Sequence, residues 1–235
     1  MKIVVMIPTY NEAGNIGSLI SRLLDLGLDS CEILVVDDKS PDGTGEIVSG
    51  LAERDPRIHL LSRPGQRGRG YAGRDGFIRA LEMGADCIVE MDGDGSHDPA
   101  LLPLILEPIL RSQADVVIGS RYVAGGGVEG REWFRDIISG WSRAYIRIIL
   151  GIPVSDPTSG YRVFGRGALE KIKPKTLVAR DPFIVTEVLY RCHQDGLRIR
   201  EVPIIFRQRE KGVSKLNSTV LAAYLFRVWR LKFSG

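Results

Sequence analysis

Two aspartates separated by a single glycine, Asp92 and Asp94, are the residues of this chain whose type and spacing most directly suggest chemistry. They follow an apolar run at residues 87–91 that has the composition of a buried strand. Ligands of open α/β sheets bind beyond the carboxyl ends of the strands, where this pair is expected to lie. Neighbouring carboxylates repel each other unless a cation lies between them. A Mg²⁺ or Mn²⁺ ion shared with substrate phosphates would satisfy both carboxylates; the alternative is a polar Asp-Gly turn without a metal.

A regular alternation of strand-like and helix-like segments surrounds this pair. Apolar strand-like runs lie at residues 3–7, 33–36, 58–61, 87–91 and 115–118. Segments with helical spacing of apolar residues lie between them, at about 13–27, 44–54, 70–83 and 99–112. The alternation predicts an α/β fold, with a Rossmann-like, mostly parallel sheet flanked by helices on both faces. No composition break occurs before about residue 120, so a single domain is expected.

Two more acidic clusters follow the first and second strands. After the first strand, at residues 8–12, Asn11 is predicted to cap a helix and Glu12 to lie in its first turn. After the second strand comes a proline-containing turn at residues 37–44. Helix capping and turn formation explain any one of these residues. Three acidic clusters on one edge of the sheet favour a nucleotide site instead, because carboxylates bind ribose hydroxyls and Tyr10 can lie against a base.

A glycine-rich segment at residues 68–73 resembles a phosphate-binding loop. It follows the third strand and has no Lys-Ser/Thr pair, so we predict instead the entry of a helix with glycines at closely packed positions. The first strand leads into Pro8 rather than into a G-x-G-x-x-G turn, which argues against a dinucleotide-dependent dehydrogenase. His97, a lone imidazole, is predicted to be structural.

Composition and charge limit the class of protein further. The chain has 235 residues, 44% of them hydrophobic and 26% charged, values typical of a soluble globular protein. A formal net charge of +3 does not suggest nucleic-acid binding. Between Arg198 and Lys232, however, nine Lys or Arg stand against two Glu, which predicts an anionic partner at that end. The three cysteines are predicted to be reduced core residues of an intracellular protein.

The pattern changes after residue 119. Glycines between residues 125 and 130 predict a flexible loop of the kind used as an active-site lid. Amphipathic helices follow at 133–150 and at about 217–233, each with an apolar stripe and flanking basic residues. Each helix either packs against the core or lies on a membrane surface. No window contains the ~18 to 20 uninterrupted apolar residues of a membrane span, so we expect a soluble or peripheral protein.

Three further segments complete the prediction. Residues 156–162 form a turn rich in hydroxyl groups, and a helix containing Glu187 is expected over 181–192. A late strand at 201–206 ends in a basic segment at 207–215. The glycine and serine of that segment let it bend, so that its cations can converge on a phosphate.

Six motifs of this chain resemble those of the dolichol- or polyprenol-phosphate mannosyltransferases, which are family-2 inverting glycosyltransferases with a GT-A fold. They are VVMIPTYNE, VVDDKSPDGT, MDGDGSH, GSRYVAGGG, DPTSGYRVF and REKGVSKL. The resemblance runs from residue 2 to about residue 220. The first three motifs are shared across the wider glycosyltransferase family. GSRY with its glycine-rich loop and the late basic segment are more specific to the polyprenol-phosphate branch.

The resemblance implies a role for each matching residue. The nucleotide sugar would be bound by Pro8, Tyr10, Glu12, Val36, Asp38, Asp92, Gly93 and Asp94. The metal, Mg²⁺ or Mn²⁺, would be held by Asp92, Asp94 and Ser96. The acceptor phosphate would be bound by Arg121, Arg135, Ser139, Arg209 and Lys215. Asp94 and Arg121 would be the catalytic residues.

The implied reaction is metal-dependent transfer of mannose from GDP-mannose to dolichyl or polyprenyl phosphate, with inversion at the anomeric carbon, forming polyprenyl-phosphate mannose. A phosphate monoester has a second pKa of about 6 and is largely ionised near neutral pH, so a dedicated general base is dispensable. Cations on the acceptor side would offset the repulsion between two phosphate-bearing substrates. Two alternatives remain open: transfer of another hexose, such as glucose from UDP-glucose, to a polyprenyl phosphate, and a non-catalytic module that binds nucleotide or lipid phosphate.

The sequence patterns and the resemblance together predict an organisation and a location. Residues 1–235 would form one glycosyltransferase catalytic domain, with a nucleotide-sugar-binding half at 1–120 and an acceptor-binding half at 121–235. The helices at 133–150 and 217–233 would make peripheral contact with the cytoplasmic face of a membrane. Membrane-anchoring accessory subunits would be further partners, and no nucleic acid is expected.

Overall fold

A computed structural model describes residues 1–130, 133–207 and 218–233, with side chains except at 133–138 and 218–223. A central sheet of seven strands is accompanied by a separate two-stranded ribbon. The strands are β1 Ile3–Thr9, β2 Cys31–Asp37, β3 Ile58–Ser62, β4 Cys87–Glu90, β5 Val116–Ser120, β6 Gly127–Glu129, β7 Arg162–Gly165, β8 Ile199–Pro203 and β9 Ile205–Arg207.

Helices alternate with the strands through most of the chain. They are α1 Ile16–Leu24, α2 Thr44–Ala52, α3 Arg69–Glu82, α4 Leu102–Leu110, α5 Trp133–Leu150, α6 Arg166–Ile172, α7 Ile184–Gln194 and α8 Ser218–Phe233. Short 3₁₀ turns lie at Pro99–Leu101 and Pro174–Thr176. The glycine-rich segment at 68–73 is the entry of α3, as predicted.

The strands of the main sheet lie in the order β3-β2-β1-β4-β7-β5-β8. Neighbouring strands are parallel except where β7 pairs with β4 and with β5, both in the antiparallel sense. In the ribbon, β6 pairs with β9 in parallel. The predicted α/β fold, with a mostly parallel sheet flanked by helices, is therefore confirmed.

The strand of the main sheet that the sequence pattern misses is β7. It has four residues, of which only Val163 and Phe164 are apolar, so it shows no recognisable period. Its first residue, Arg162, lies opposite Glu90 at the end of β4 and opposite Ile118 in β5. The turn that precedes β7 is therefore placed at the carboxyl ends of β4 and β5.

Each face of the main sheet carries its own hydrophobic core. In β1, Val5 and Ile7 belong to the core formed with α1, α2 and α4. Val4 and Met6 belong to the core formed with α3, α6 and α7. All four side chains are fully buried, and burying one such side chain stabilises the fold by roughly 1.5–3 kcal/mol. Burial on both faces explains why the strands are continuously apolar rather than alternating.

The helices α5 and α8 pack against each other and against α7. Ile146, Leu150 and Val228 are buried there, and the hydroxyl of Tyr145 donates to the carbonyl of Leu225 (3.2 Å). The bounds predicted for α5 are confirmed, and α8 is described from Ser218. In the described part of the chain, no helix has the length and apolar character needed to cross a bilayer.

Three local predictions are wrong, and the strand predicted at 201–206 is divided between β8 and β9, which belong to different sheets. Asn11 does not cap a helix, because α1 begins at Ile16. Asn11 instead adopts a left-handed backbone conformation (φ 63°), which asparagine tolerates, and its N–H donates to the hydroxyl of Ser40 (3.0 Å). That link to the loop after β2 holds the segment in a turn, so Glu12 lies before the helix rather than in its first turn. The flexible loop predicted between residues 125 and 130 contains the strand β6, which pairs with β9.

The three cysteines are buried free thiols, as predicted. Burial raises the pKa of Cys31 to about 11 and the pKa of Cys87 and Cys192 to about 12. A thiol that stays protonated at neutral pH is a poor nucleophile and metal ligand, so these residues act as small apolar core side chains.

Candidate functional site

The carboxyl ends of β1, β2 and β4 form a cavity of about 200 Å³. Its lining unites most of the residues proposed for the nucleotide sugar. These are Pro8, Tyr10, Glu12, Asp38, Asp92, Gly93 and Asp94, accompanied by Thr9, Arg69 and Ala72. Val36 is the exception, because its side chain is fully buried in β2. The three acidic clusters thus converge on one edge of the sheet.

A second cavity of about 560 Å³ adjoins the first and shares Asp38 with it. It lies beyond β2 and β3, and its lining is mainly polar, with Lys39, Ser40, Glu46, Arg63 and Arg67 among its residues. Together the two cavities form a polar cleft.

Asp38 lies where the two cavities meet and Tyr10 lines the smaller one, and basic side chains hold both of them. The guanidinium of Arg67 lies 5.1 Å from the ring centre of Tyr10, and its Nη1 donates to the Tyr10 hydroxyl (2.9 Å). Asp38 forms a buried salt bridge with Arg63 and accepts the N–H of Gly68 (2.8 Å). Arg63 also donates through Nε to Asp75 (2.8 Å). An aromatic face and a fixed carboxylate are thereby presented to the cleft.

The segment after β4 is folded tightly around its two aspartates. The backbone N–H and the hydroxyl of Ser96 both donate to Oδ1 of Asp94 (3.0 and 2.6 Å). Ser96 is 2% exposed, so in this structure it orients Asp94. A Cβ at Gly93 would lie 3.0 Å from Thr9, which explains why the pair is separated by glycine.

His97 supports the backbone of Asp92. Its Nδ1 accepts the Asp92 N–H (3.2 Å), and its ring stacks on that of Tyr161 at 5.1 Å. Burial lowers the pKa of His97, although the nearby Asp92 and Asp94 oppose this change. A neutral, buried imidazole is consistent with the structural role predicted for it.

The side chains of Asp92 and Asp94 are the residues that could hold a metal ion. Within residues 1–130, 133–207 and 218–233, no group of three or more His, Cys, Asp or Glu side chains is arranged to do so. Mg²⁺ and Mn²⁺ commonly bind one or two carboxylates and take their other ligands from substrate phosphates and water. A pair of carboxylates in a polar cleft therefore fits a hard divalent cation that arrives with a phosphate ligand.

A buried ion pair behind this site was missed in the sequence. Arg69 donates through Nη2 to Oε1 of Glu90 (2.7 Å) and to Oδ1 of Asp92 (3.3 Å). Glu90 is 1% exposed at the end of β4. A charged residue that ends an otherwise apolar strand was the available signal, because such a residue needs a partner of opposite charge.

The acceptor-side residue Arg121 follows β5 and is locked by Asp156. Its Nε and Nη2 donate to the two carboxylate oxygens (2.6 and 2.7 Å), and its backbone N–H donates to Oδ2 (3.1 Å). Although the burial of Asp156 opposes ionisation, the hydrogen bonds and charge of Arg121 hold the pKa of Asp156 below its usual range. Asp156 is fully buried and was not singled out from the sequence.

The turn at residues 156–162 joins the donor and acceptor sides. Asp156 at its start holds Arg121, and a Cβ at Gly160 would lie 2.8 Å from Oδ2 of Asp92. Arg162 at its end is fully buried and donates to the carbonyls of Ser159 (2.6 Å) and Pro157 (3.1 Å). The charge of Asp92 also contributes to raising the pKa of Arg121, against the effect of burial. The aspartate pair and Arg121 therefore belong to one site.

Aromatic residues and helix α5 surround Arg121. Its guanidinium lies 5.3 Å from the ring centres of both Tyr122 and Phe206. Arg143 of α5 also contacts this group, with its guanidinium over the ring of Tyr122. Ser139 lies one turn before Arg143 on the same helix, so α5 runs past the Arg121 side of the site.

Three residues proposed for the acceptor phosphate are not placed as side chains. Arg135 lies in α5, where only the backbone is described. Arg209 and Lys215 lie outside the described residues. The structure thus brings Arg121 together with the donor residues and leaves the roles of these three as predictions.

The sequence is similar to a known protein family and to individual proteins of known activity. The model of Glycosyl transferase family 2 matches residues 4–173. A polyprenol monophosphomannose synthase of Mycolicibacterium smegmatis is 40% identical over 225 residues, which is 95% of this chain and 84% of that protein. An undecaprenyl-phosphate mannosyltransferase of Micrococcus luteus is 40% identical over 230 residues, 98% of this chain and 93% of that protein. A dolichol-phosphate mannosyltransferase of Pyrococcus furiosus is 35% identical over 240 residues, all of this chain and 65% of that protein.

Solved structures show the same fold at lower identity. A glucosyl-3-phosphoglycerate synthase from Mycobacterium tuberculosis, in complex with Mn²⁺, UDP-glucose and phosphoglyceric acid, superposes with a TM-score of 0.70 at 21% identity. The match covers 99% of this chain and 79% of that chain. The similarity extends over the whole sheet and its flanking helices, and it confirms the GT-A fold expected from the motifs.

Proposed function

The chain belongs to glycosyl transferase family 2, and from this premise we propose that it transfers mannose from GDP-mannose to the phosphate of a polyprenol or dolichol, with inversion at the anomeric carbon. Membership of the family makes it a glycosyltransferase. The choice of sugar and acceptor is supported by the names of three relatives, which are mannose transferases or synthases of polyprenol, undecaprenyl and dolichol phosphate.

The observation that carries the proposal is the turn at residues 156–162. It links the carboxylate-rich donor cleft to the locked guanidinium of Arg121, through Gly160 beside Asp92 and through Asp156. A transfer between two phosphate-bearing substrates needs such an arrangement, because each substrate brings negative charge to the point of reaction. A fixed cation next to the donor cleft offsets that repulsion without reorganising during the reaction.

On the donor side, we expect the larger cavity to receive the base and the smaller one the diphosphate and sugar. Tyr10, braced by Arg67, offers a ring face for stacking, and Asp38 offers a fixed acceptor. Asp92 and Asp94 would hold Mg²⁺ or Mn²⁺, which when bound supplies positive charge to the departing nucleoside diphosphate. Mn²⁺ is present in the complex of the structural neighbour from Mycobacterium tuberculosis.

On the acceptor side, we expect a phosphate monoester that already carries the charge needed for attack. Asp156 cannot serve as a general base while both of its carboxylate oxygens accept from Arg121 and its pKa is lowered. Arg121 would orient the phosphate, assisted by Arg135, Ser139, Arg209 and Lys215. The acceptor side of the site therefore requires cations, rather than a general base, beside the attacking oxygen.

We propose a peripheral position on the cytoplasmic face of a membrane, and the helices α5 and α8 support the contact with the membrane. Large apolar side chains that point to solvent are concentrated on these two helices. They are Trp141 (77% exposed), Ile148 (78%), Phe226 (70%), Trp229 (53%) and Phe233 (67%). Arg230 and Lys232 lie among them on α8. Tryptophan beside basic residues is typical of helices that lie in a membrane interface. Membrane-anchoring accessory subunits would be consistent with the same surface.

Incubation with labelled GDP-mannose, a polyprenyl phosphate and Mg²⁺ or Mn²⁺ tests the reaction, with the product identified by mass spectrometry. Mannosyl-phosphoryl-polyprenol is the expected product. A glycolipid formed only from UDP-glucose would show that UDP-glucose, and not GDP-mannose, is the donor. Binding of both ligands without product would show that the protein is a non-catalytic binding module. Calorimetric titration with GDP and with UDP in the presence of Mn²⁺ reports the base directly.

Membrane association is tested by flotation with vesicles that contain anionic lipid. The wild-type protein is expected to float with the vesicles at low salt, and the double substitution Phe226→Ala/Trp229→Ala to reduce the floating fraction. Leu104→Ala serves as the control, because Leu104 is an exposed apolar residue of α4 (45% exposed), away from α5 and α8. Wild-type protein that stays in the soluble fraction would contradict the proposal.

A further inference from the structure

The donor cleft contains a charged residue that the roles assigned above leave unused. We propose that Arg69 is a positioning residue that competes with the metal ion for Asp92, and that Glu90 limits this competition by holding the same guanidinium. Arg69 and Glu90 together would set how tightly the protein binds the metal before the nucleotide arrives. The inference rests on the proposed function, because it takes Asp92 and Asp94 as the metal-binding carboxylates.

The backbone around Arg69 is held in one position. Arg69 is the first residue of α3 and lies between Gly68 and Gly70. A Cβ at Gly68 would lie 2.3 Å from the carbonyl oxygen of Arg180, and one at Gly70 would lie 2.2 Å from that of Ala179. Only glycine allows this approach of two backbone segments. The Arg69 side chain therefore starts from a fixed point and is directed into the cleft.

A single nitrogen of the Arg69 guanidinium contacts two carboxylates. Nη2 lies 2.7 Å from Oε1 of Glu90 and 3.3 Å from Oδ1 of Asp92. Glu90 is buried, whereas the side chain of Asp92 is 30% exposed and lines the cavity. The shorter contact is the one to the residue that substrate cannot reach. Asp92 is thus held by the weaker of two contacts, which a metal ion can displace.

Packing does not explain the presence of an arginine at this position. Its other terminal nitrogen, Nη1, is buried and has no hydrogen-bond partner among the described residues. A buried donor without a partner destabilises the folded state. Apolar side chains of similar size in place of both Arg69 and Glu90 would avoid that loss, since replacing a whole buried ion pair by apolar groups is often neutral or stabilising. The charge itself is what the residue contributes.

The group of charges around Arg69 attracts a cation. Glu90, Asp92 and Asp94 carry three formal negative charges and Arg69 one positive charge, so these four side chains together keep a net negative charge. Arg69 repels an incoming cation at Asp92, and Glu90 reduces this repulsion because it draws the guanidinium towards itself. The two residues therefore act on metal affinity with opposite signs.

This opposition can be measured with Mn²⁺ alone, from the paramagnetic resonance signal of the free ion. We expect Glu90→Gln to weaken Mn²⁺ binding at least threefold, because the guanidinium then pairs fully with Asp92. We expect Arg69→Leu/Glu90→Gln to tighten it at least threefold, because the positive charge beside Asp92 is removed together with the carboxylate that holds it. The control is Arg111→Leu/Glu107→Gln, which removes an exposed pair of the same length (2.7 Å) on α4 and should leave the affinity unchanged.

A purely structural role for Arg69 would make both variants bind Mn²⁺ more weakly, and that result would overturn the proposal. Affinities equal to that of the control would overturn it as well. If the double variant does not fold, Arg69→Lys replaces it. A lysine keeps the positive charge on a shorter side chain, and we expect it to pair with the buried Glu90 and to tighten Mn²⁺ binding; weaker binding would refute the idea.

Failure of the proposed function has a different signature. Wild-type protein that binds no Mn²⁺ even with GDP present, or an Asp94→Ala variant that binds it as well as the wild type, would remove the metal site and with it this inference. Weaker Mn²⁺ binding by Glu90→Gln and tighter Mn²⁺ binding by Arg69→Leu/Glu90→Gln, together with loss of Mn²⁺ binding in Asp94→Ala, would support both the proposed function and this inference.

Discussion

The buried salt bridge between Asp156 and Arg121 predicts that a nearly isosteric substitution, Asp156→Asn, has a large effect on stability and on transfer. The carboxylate is fully buried and the guanidinium side chain is 15% exposed, so solvent screens the pair little. Removing one partner of a buried ion pair costs about 3–5 kcal/mol. Asparagine keeps one acceptor oxygen, so we expect a loss near the lower end of that range in the free energy of unfolding, measured by urea denaturation.

The same substitution should also impair transfer, because Arg121 would no longer be held in one orientation. A misplacement of about 1 Å at a reacting group can reduce the rate roughly 10²-fold. We therefore expect transfer to polyprenyl phosphate to fall by about two orders of magnitude, with the KM for the donor nearly unchanged. Initial rates at varied concentrations of each substrate separate the two effects.

A surface pair of the same geometry provides the control. Asp115 accepts two guanidinium hydrogen bonds and the backbone N–H of Arg198, as Asp156 does from Arg121, but its side chain is 32% exposed. Exposed pairs contribute about 0–1 kcal/mol, so Asp115→Asn should change neither stability nor transfer appreciably. If Asp156→Asn behaved like Asp115→Asn, the reasoning from the buried lock would be refuted.

The remaining predictions concern the donor side and the dependence on pH. Asp94→Ala should abolish transfer while the unfolding midpoint stays within a few degrees of the wild type, measured by product formation and by circular dichroism. Gly160→Ala should weaken Mn²⁺-dependent GDP binding, measured by calorimetry, because the added methyl group would lie 2.8 Å from Asp92. Tyr10→Ala should weaken GDP binding by about tenfold through lost stacking, whereas Tyr10→Phe should retain it. The lowered pKa of Asp156 means that its share of stability is complete above the unfolded-state pKa of about 3.9. That share is lost as the pH falls through the lower, folded-state pKa of Asp156, and urea titrations across that range measure it.

Each of these outcomes has a counterpart that would contradict it. Near-normal turnover by Asp94→Ala with metal present would remove the metal-dependent mechanism. Unchanged GDP binding by Gly160→Ala would show that the turn at 156–162 does not press on Asp92 in solution. Equal losses for Tyr10→Ala and Tyr10→Phe would assign the effect to the hydroxyl and its contact with Arg67. A wild-type protein whose acid stability profile matched that of Asp156→Asn would contradict the lowered pKa.

Much of the sheet could be predicted because its strands are buried on both faces. Runs such as Ile33 to Val36 are continuously apolar, and the polar residues that follow them mark the carboxyl ends of the strands. The convergence of Asp38, Asp92 and Tyr10 on one edge follows directly from parallel strand order. The donor half of the candidate site was therefore within reach of sequence reasoning.

The parts that were missed depend on contacts between residues far apart in the chain. Asp156 and Arg121 are 35 positions apart, and Arg69 and Glu90 are 21 apart. No local pattern pairs them. The strand β7 is too short to show a period, and Asn11 follows a link to Ser40, 29 positions away, rather than its own helix-capping preference. Tertiary hydrogen bonds decided these cases against local propensity.

The position of β7 has a consequence for how the chain can be divided. A fragment that ends near residue 120 would contain β1 to β5 but not the strand that separates β4 from β5. Both of those strands would then present unpaired N–H and C=O groups, which are templates for intermolecular pairing. We therefore expect such a fragment to self-associate when expressed alone, and to remain dispersed when a peptide containing residues 156–166 is supplied to fill the gap. The donor-binding and acceptor-binding parts of the chain could then not fold separately, although their side chains come from different stretches of sequence.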